Sequence, residues 1–223
     1  MKINPNKDVI IIGHPRSGSY WLQSCLPHFN CREAFNVKNF DIVGEKDNRF
    51  IMANYRDIEL SPEEETRLIK ERIELVDSIT VPKCVKILTY QFNDVILEWV
   101  NRQDADIIWI ERLDNRKAFR SLLIADKLGA YVGAVDDATI TVDLDRALWL
   151  HGKLKDDERD ESIMESIKGN VTEVYYENLL ADDTFDKSTS SMKIQNTTKV
   201  IISNWREIVD HLHSNGIYDY SNS

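Results

Sequence analysis

The sequence predicts an α/β protein, a three-layer α/β/α arrangement around a mostly parallel central sheet. Three observations carry this. Val9–Ile12 and Asp106–Ile110 are strongly apolar runs with the length of buried strands, and Val171–Tyr175 reads as a third strand. Longer stretches with helical spacing of apolar residues stand between them, as after Ser61 and after Asp114. Strands that alternate with helices call for crossover connections, and those build parallel sheets covered on both faces. A length of 223 residues suits one domain, 1–223. A substrate-side lobe is expected at 36–82 and a flexible loop at 182–198.

In chain order, residues 1–8 form a polar lead without the apolar core of a signal peptide. Val9–Ile12 is the first strand; Gly13 ends it and Pro15 stiffens the exit. A helix is expected from about Gly18 to Pro27. Residues 28–40 suggest a brief strand or coil, and 41–58 an irregular polar loop. Ser61-Pro62-Glu63-Glu64 is a helix start: Ser61 caps, Pro62 suits the first position, and Glu64 completes a capping box. Leu68, Ile69, Ile73, Leu75 and Val76 then make one apolar face, and the helix ends before Pro82.

Lys83–Leu88 reads as a strand, and Gln91–Arg102 as a helix with Phe92, Val95, Ile96 and Trp99 inward. A helix at Asp114–Leu128 has Gly129 as its C-cap. Residues 129–144 read as a loop, and Leu144 to about Ile167 as a long helix or helix pair. The charge run KLKDDERDES within it reads as a solvated face. Tyr176–Leu180 starts a turn or short helix. Residues 182–198 are poor in apolar side chains and rich in Ser, Thr and Lys, which predicts a loop. A final helix runs from Lys199 or Val200 to about Ser214, with Val200, Ile201, Trp205, Ile208, Val209 and Leu212 inside.

Composition narrows the function classes. A formal net charge of -10 speaks against a non-specific nucleic-acid or anionic-membrane surface. No run approaches the eighteen apolar residues of a membrane span. Cys25, Cys31 and Cys84 are an odd set without a CxxC pair, which suits reduced thiols in a cytoplasmic setting. His211 and His213 are two apart on a helix and make a poor metal pair. Trp99, Trp109 and Trp205 read as core; Trp149 reads as core or as lining an acceptor cleft.

The chemistry concentrates in VIIIGHPRSGSYWL, residues 9–22. A strand, a glycine-bearing turn and a helix start bring backbone N–H groups together as an anion site. Arg16 and Ser17 add donors. Gly13 and Gly18 keep the glycine spacing of the nucleotide-triphosphate loop G-x-x-x-x-G-K-[ST]. Ser19 and Tyr20 stand where that loop has its Lys and its magnesium-ligating hydroxyl. The positive charge has moved to Arg16. The pattern suits a phosphate-bearing ligand handled without a required metal, and argues against an ordinary ATPase or GTPase. Ligands of open parallel sheets gather beyond the C-terminal strand ends. There Glu111-Arg112 follows one strand, with Ser121 nine residues beyond Arg112, and Tyr176-Glu177-Asn178-Leu179 follows another.

The loop PRSGSYWL resembles the phosphosulfate-binding loop of sulfotransferases that use 3'-phosphoadenosine 5'-phosphosulfate. Ile110-Glu111-Arg112 through Ser121 and its helix looks like that family's second signature. Val174–Leu179 is similar to a third, structural block, as is the helix with Asn204 and Trp205. The resemblance implies a P-loop-containing nucleotide hydrolase-like fold and transfer of a sulfuryl group to an acceptor hydroxyl. It implies that Arg16, Ser17, Gly18, Ser19, Tyr20 and Trp21 hold the 5'-phosphosulfate. Arg112 and Ser121 would grip the 3'-phosphate.

Glu33 matches the catalytic carboxylate that many bacterial and carbohydrate-type members place shortly after the first helix. His14, beside the loop, is the rival base; a histidine there also serves as a packing or hydrogen-bonding residue. Arg16 and the helix start would stabilise charge on the departing phosphate. No metal is formally required, and the acceptor would be a small molecule, lipid or carbohydrate. Arg16 stands where the family often has Lys, and Tyr20 where it often has Thr. A late glycine-rich, Lys-containing loop is lacking; Lys187 or Lys193 is its candidate replacement. A P-loop-like small-molecule kinase and a non-catalytic adenosine-bisphosphate-binding module are the alternatives.

Overall fold

The computed structural model describes residues 3–26, 28–31, 41–46, 49–53, 61–129, 137–154, 156–182, 200–218 and 220, with backbone alone at 29–31, 41–46 and 49–53. The first half contains β1 (Asp8–Gly13), α1 (Ser19–Ser24), β2 (Phe29–Cys31), β3 (Asp41–Lys46), β4 (Arg49–Ala53), α2 (Pro62–Asp77), β5 (Lys83–Leu88), α3 (Asp94–Arg102) and β6 (Ala105–Glu111). The second contains α4 (Asn115–Leu128), β7 (Ala138–Ile140), α5 (Leu144–His151), α6 (Asp157–Ser166), β8 (Val171–Tyr175), α7 (Tyr176–Ala181), β9 (Val200–Ile202) and α8 (Trp205–Ser214).

Five strands form the central sheet in the order β2-β5-β1-β6-β8, and every pairing is parallel. Ile12 of β1 lies opposite Ile87 of β5 and Trp109 of β6. The chain fills the β2 and β5 side of β1 first, then crosses to β6 and β8. The change of direction falls at β1, whose C-terminal end is therefore where such sheets open a crevice.

The strand period of two divides the core. Ile10, Ile12, Val85, Ile87, Ile107 and Trp109 pack on one face with Ile69, Ile73 and Val76 of α2, Ile96, Trp99 and Val100 of α3, and Ile163 of α6. Val9, Ile11, Cys84, Ile108 and Ile110 pack on the other with Trp21 and Leu22 of α1 and Tyr176 and Leu179 of α7. That is the expected three-layer α/β/α arrangement with a parallel sheet. A further cluster joins Phe119 and Leu123 of α4 with Leu150 of α5, Leu212 of α8, Ile140 of β7 and Val200 of β9.

Helix starts follow the capping residues. The Ser61 hydroxyl accepts from the Glu64 amide at 3.2 Å, and the Ser61 amide donates to Glu64 Oε2 at 3.3 Å. Asn93, Asp114, Asp143 and Asp156 each accept an amide of the first turn of α3, α4, α5 and α6. Gly129 closes α4 in the left-handed region, φ 64°. Among the described residues no helix is long and apolar enough to cross a membrane.

Several local expectations are corrected. The stretch 41–58 was expected to be an irregular loop, yet β3 and β4 pair antiparallel within it. β3 is largely polar and β4 is only five residues long, so the pairing between them is what defines the hairpin. The loop at 129–144 contains β7, and the last helix is preceded by β9; the two strands pair in parallel across about sixty residues. Three-residue strands have no local periodicity, and only the partner defines them. Of the two forms expected for 144–167, the helix pair is the one found, because Asp156 caps a second start. Leu75 and Ile201 lie 41% and 59% exposed, off their expected apolar faces. The charge run is not wholly solvated: Asp160 is buried. Trp149, open between two expectations, is half exposed, with the Arg146 guanidinium 4.1 Å and the Lys153 ammonium 4.2 Å from its ring centroid. Of the loop expected at 182–198, all but Asp182 lies outside the described residues.

Candidate functional site

The site is built from β1 outward. Gly13 ends the strand against β6 so tightly that a Cβ would sit 2.6 Å from the Ile110 carbonyl and 2.7 Å from Ser17 Oγ. The Ser17 amide donates to the His14 carbonyl at 3.2 Å, which curls the chain back. Arg16 takes the left-handed conformation, φ 65°, a state that a side chain with a Cβ occupies at a cost. Gly18 follows at φ 93° and hands over to α1. A Cβ on Gly18 would lie 2.2 Å from Tyr176 Cδ2. A helix start leaves its first amides without intrahelical acceptors, and those of α1 adjoin this turn.

Residues about a hundred positions away complete the surroundings. Arg16 Nε donates to Ser121 Oγ on α4 at 2.9 Å. Arg112, just past the end of β6, donates from Nη1 to the Arg16 carbonyl at 3.1 Å. The Tyr176 ring at the start of α7 lies under the Arg112 guanidinium, 5.1 Å from Cζ to centroid, and meets Trp21 edge-on at 5.4 Å. Arg112 Nε faces Glu177 Oε1 at 3.4 Å, and Glu177 Oε2 accepts the Leu113 amide at 3.0 Å. Burial lifts the Tyr176 phenol above its ordinary 10.0; the nearby Arg112 and Arg16 offset part of that. Ser17 Oγ is buried and makes no hydrogen bond among the described residues. An orphaned hydroxyl in a turn flanked by two guanidinium groups fits an anionic oxygen.

The structure therefore brings together Arg16, Ser17, Gly18, Trp21, Arg112 and Ser121 from the sequence-derived set. Ser19 is buried as the first residue of α1. Tyr20 turns toward β5, where the Lys86 ammonium lies 5.6 Å from its ring centroid. His14 is placed apart. It is buried, with Nδ1 3.3 Å from Thr89 Oγ1, Nε2 3.4 Å from Asp160 Oδ2, and its ring edge-on to Trp109. Arg159 joins that network through Thr89 Oγ1 at 3.1 Å. These contacts sit on the face covered by α6, opposite the face covered by α1. Glu33 lies outside the described residues.

Sequence reasoning missed Lys86, a lysine 4% exposed on a strand beside the turn. The signal was available: a cation inside KCVKIL, in a sheet that is covered on both faces, is costly without a purpose. It also missed that Tyr176 and Glu177 reach Arg112, which no local pattern encodes.

Fold and turn together define a three-layer α/β protein whose cations gather at the C-terminal edge of the sheet, beside the glycine turn of β1. No protein-family model matches the chain, and no curated protein matches it.

Proposed function

We propose that this chain is a sulfotransferase of P-loop-like fold that uses 3'-phosphoadenosine 5'-phosphosulfate as donor. What carries the reading is the Arg16–Ser121 hydrogen bond, together with the Arg112 contact to the Arg16 carbonyl. Three sequence blocks that resemble the sulfotransferase signatures meet at one strand end. The orphaned Ser17 hydroxyl supports an anionic occupant there.

In this reading the turn from Arg16 to Tyr20 seats the 5'-phosphosulfate, with Trp21 packing behind it, and Arg112 and Ser121 hold the 3'-phosphate. The acceptor is a hydroxyl of a sugar, a lipid or a small metabolite. Its oxygen attacks sulfur in line, the bond from sulfur to the bridging phosphate oxygen breaks, and adenosine 3',5'-bisphosphate leaves. The hydroxyl proton passes to a carboxylate, for which Glu33 is the candidate. His14, buried against Thr89 and Asp160, fits a bracing role better than that of the base. Arg16 meets the charge that develops on the leaving phosphate.

Calorimetry with adenosine 3',5'-bisphosphate, ATP and ATP with magnesium tests the reading. The first should bind in the micromolar range, almost independently of magnesium, and Arg112→Ala should weaken it strongly. Tightest binding of ATP with magnesium would point to the kinase alternative and refute the proposal. Bisphosphate binding without sulfuryl transfer to any hydroxyl acceptor would leave the non-catalytic module. Glu33→Ala should keep bisphosphate affinity and lose turnover; equal loss of both removes Glu33 as base.

A further inference from the structure

We infer that Glu177 is a positioning residue that makes the site selective for a 3'-phosphate by holding the Arg112 guanidinium in one orientation; this rests on the donor reading above. The Arg112 side chain is 20% exposed and bounded on three sides. Nη1 is held by the Arg16 carbonyl, the face by the Tyr176 ring, and Nε by Glu177 Oε1. Glu177 is itself fixed, because its second oxygen accepts the Leu113 amide at 3.0 Å. One carboxylate therefore ties the side chain of Arg112 to the backbone of the next residue. With the Nε–H and one Nη1–H engaged, the planar fork keeps its other N–H groups, on Nη1 and Nη2, in a fixed orientation for an anion.

A carboxylate beside an anion site can also act in the opposite sense, by neutralising the arginine. The geometry decides between the two. The Arg112–Glu177 pair is long, at 3.4 Å, and both side chains are partly solvated, so its Coulomb effect is screened. Orientation is insensitive to that screening, because it depends on reach and not on charge. A planar fork that must meet a phosphate loses affinity when it is free to rotate.

Two conservative substitutions separate the effects. Glu177→Gln keeps the reach but drops the charge and one of the two acceptors, because its amide nitrogen cannot accept from Arg112 Nε or the Leu113 amide. Glu177→Asp keeps the charge but is too short to span Leu113 and Arg112 together. The measurement is the ratio of calorimetric affinities for adenosine 3',5'-bisphosphate and adenosine 5'-monophosphate. The wild-type chain should prefer the bisphosphate. Positioning predicts that E177D and E177Q each lose about tenfold of that preference, the scale of one charged hydrogen bond, since each breaks the tie between Arg112 and the Leu113 amide.

Retention in E177D would overturn positioning whatever E177Q does, and a gain of preference in E177Q beside it would point to neutralisation of Arg112 by the carboxylate instead. Equal weakening of both nucleotides in E177D would mean a merely structural role and would equally overturn it. A wild-type chain with no preference brings down the donor reading itself, whereas a preference untouched by either substitution brings down the role of Glu177 alone.

Discussion

Gly18→Ala is the most informative single substitution. Gly18 holds φ 93°, and the Tyr176 ring occupies the place of a Cβ, with Cδ2 at 2.2 Å. Left-handed backbone costs a residue with a Cβ about 1–2 kcal/mol. Overpacking against a buried ring adds about 1–3 kcal/mol. The loss should therefore be about 2–5 kcal/mol, a large share of the stability of an ordinary domain.

Gly129→Ala supplies the control. Gly129 also has positive φ, 64°, but a Cβ there meets nothing within 4 Å among the described residues, so only the backbone cost of about 1–2 kcal/mol applies. Urea unfolding of the two variants yields the difference, which isolates the collision with the ring. Removing the ring closes the test: against a Tyr176→Ala background, Gly18→Ala should cost no more than Gly129→Ala. If Gly18→Ala costs as little as Gly129→Ala in the wild-type background, or as much with the ring gone, the packing described around the turn is wrong.

Other outcomes follow from the same contacts. Ser17→Ala removes an orphaned buried hydroxyl and should stabilise the chain by about 1 kcal/mol while lowering adenosine 3',5'-bisphosphate affinity several-fold; unchanged affinity would separate Ser17 from the site. Burial, against the pull of Arg159 and the Asp156 amide, holds the Asp160 carboxyl above its ordinary 3.8. The folded chain thus keeps that proton more tightly than the unfolded one, and the resulting stability fades as pH rises through the raised pKa. Asp160→Asn should gain on wild type over the pH range just above 3.8, and a gap that is constant with pH would contradict this. Ser61→Ala breaks the capping box of α2 and should cost about 1 kcal/mol in urea unfolding; a cost near zero would mean that the helix start is held by packing alone.

Much of the fold was legible in the chain. β1, β5 and β6 are short runs rich in apolar residues, because strands buried on both faces have little polar side to show; β8 lies at the sheet edge, with Thr172, Glu173 and Tyr175 exposed. The start of α2 and the end of α4 were legible because Ser61 and Gly129 satisfy groups within a few residues of themselves; that Asp114 caps α4 came from the structure. The two-strand pairs β3–β4 and β7–β9 were not, since a short strand exists only through its partner. The site divides in the same way. The glycine spacing and Arg16 could be read from fourteen consecutive residues. The bracket that Tyr176 and Glu177 form around Arg112 could not.

The sequence by itself determined the alternation of strands and helices, the capped helix start at Ser61 and a turn at residues 13–18 suited to an anion, all of which rest on bonds and patterns within a few residues. Only the tertiary structure decided that Arg16 meets Ser121, that His14 faces α6, and that Tyr176 fills the space Gly18 leaves open. Those contacts join residues 105 to about 158 positions apart, and their partners are chosen by sheet order and core packing, which no local pattern encodes.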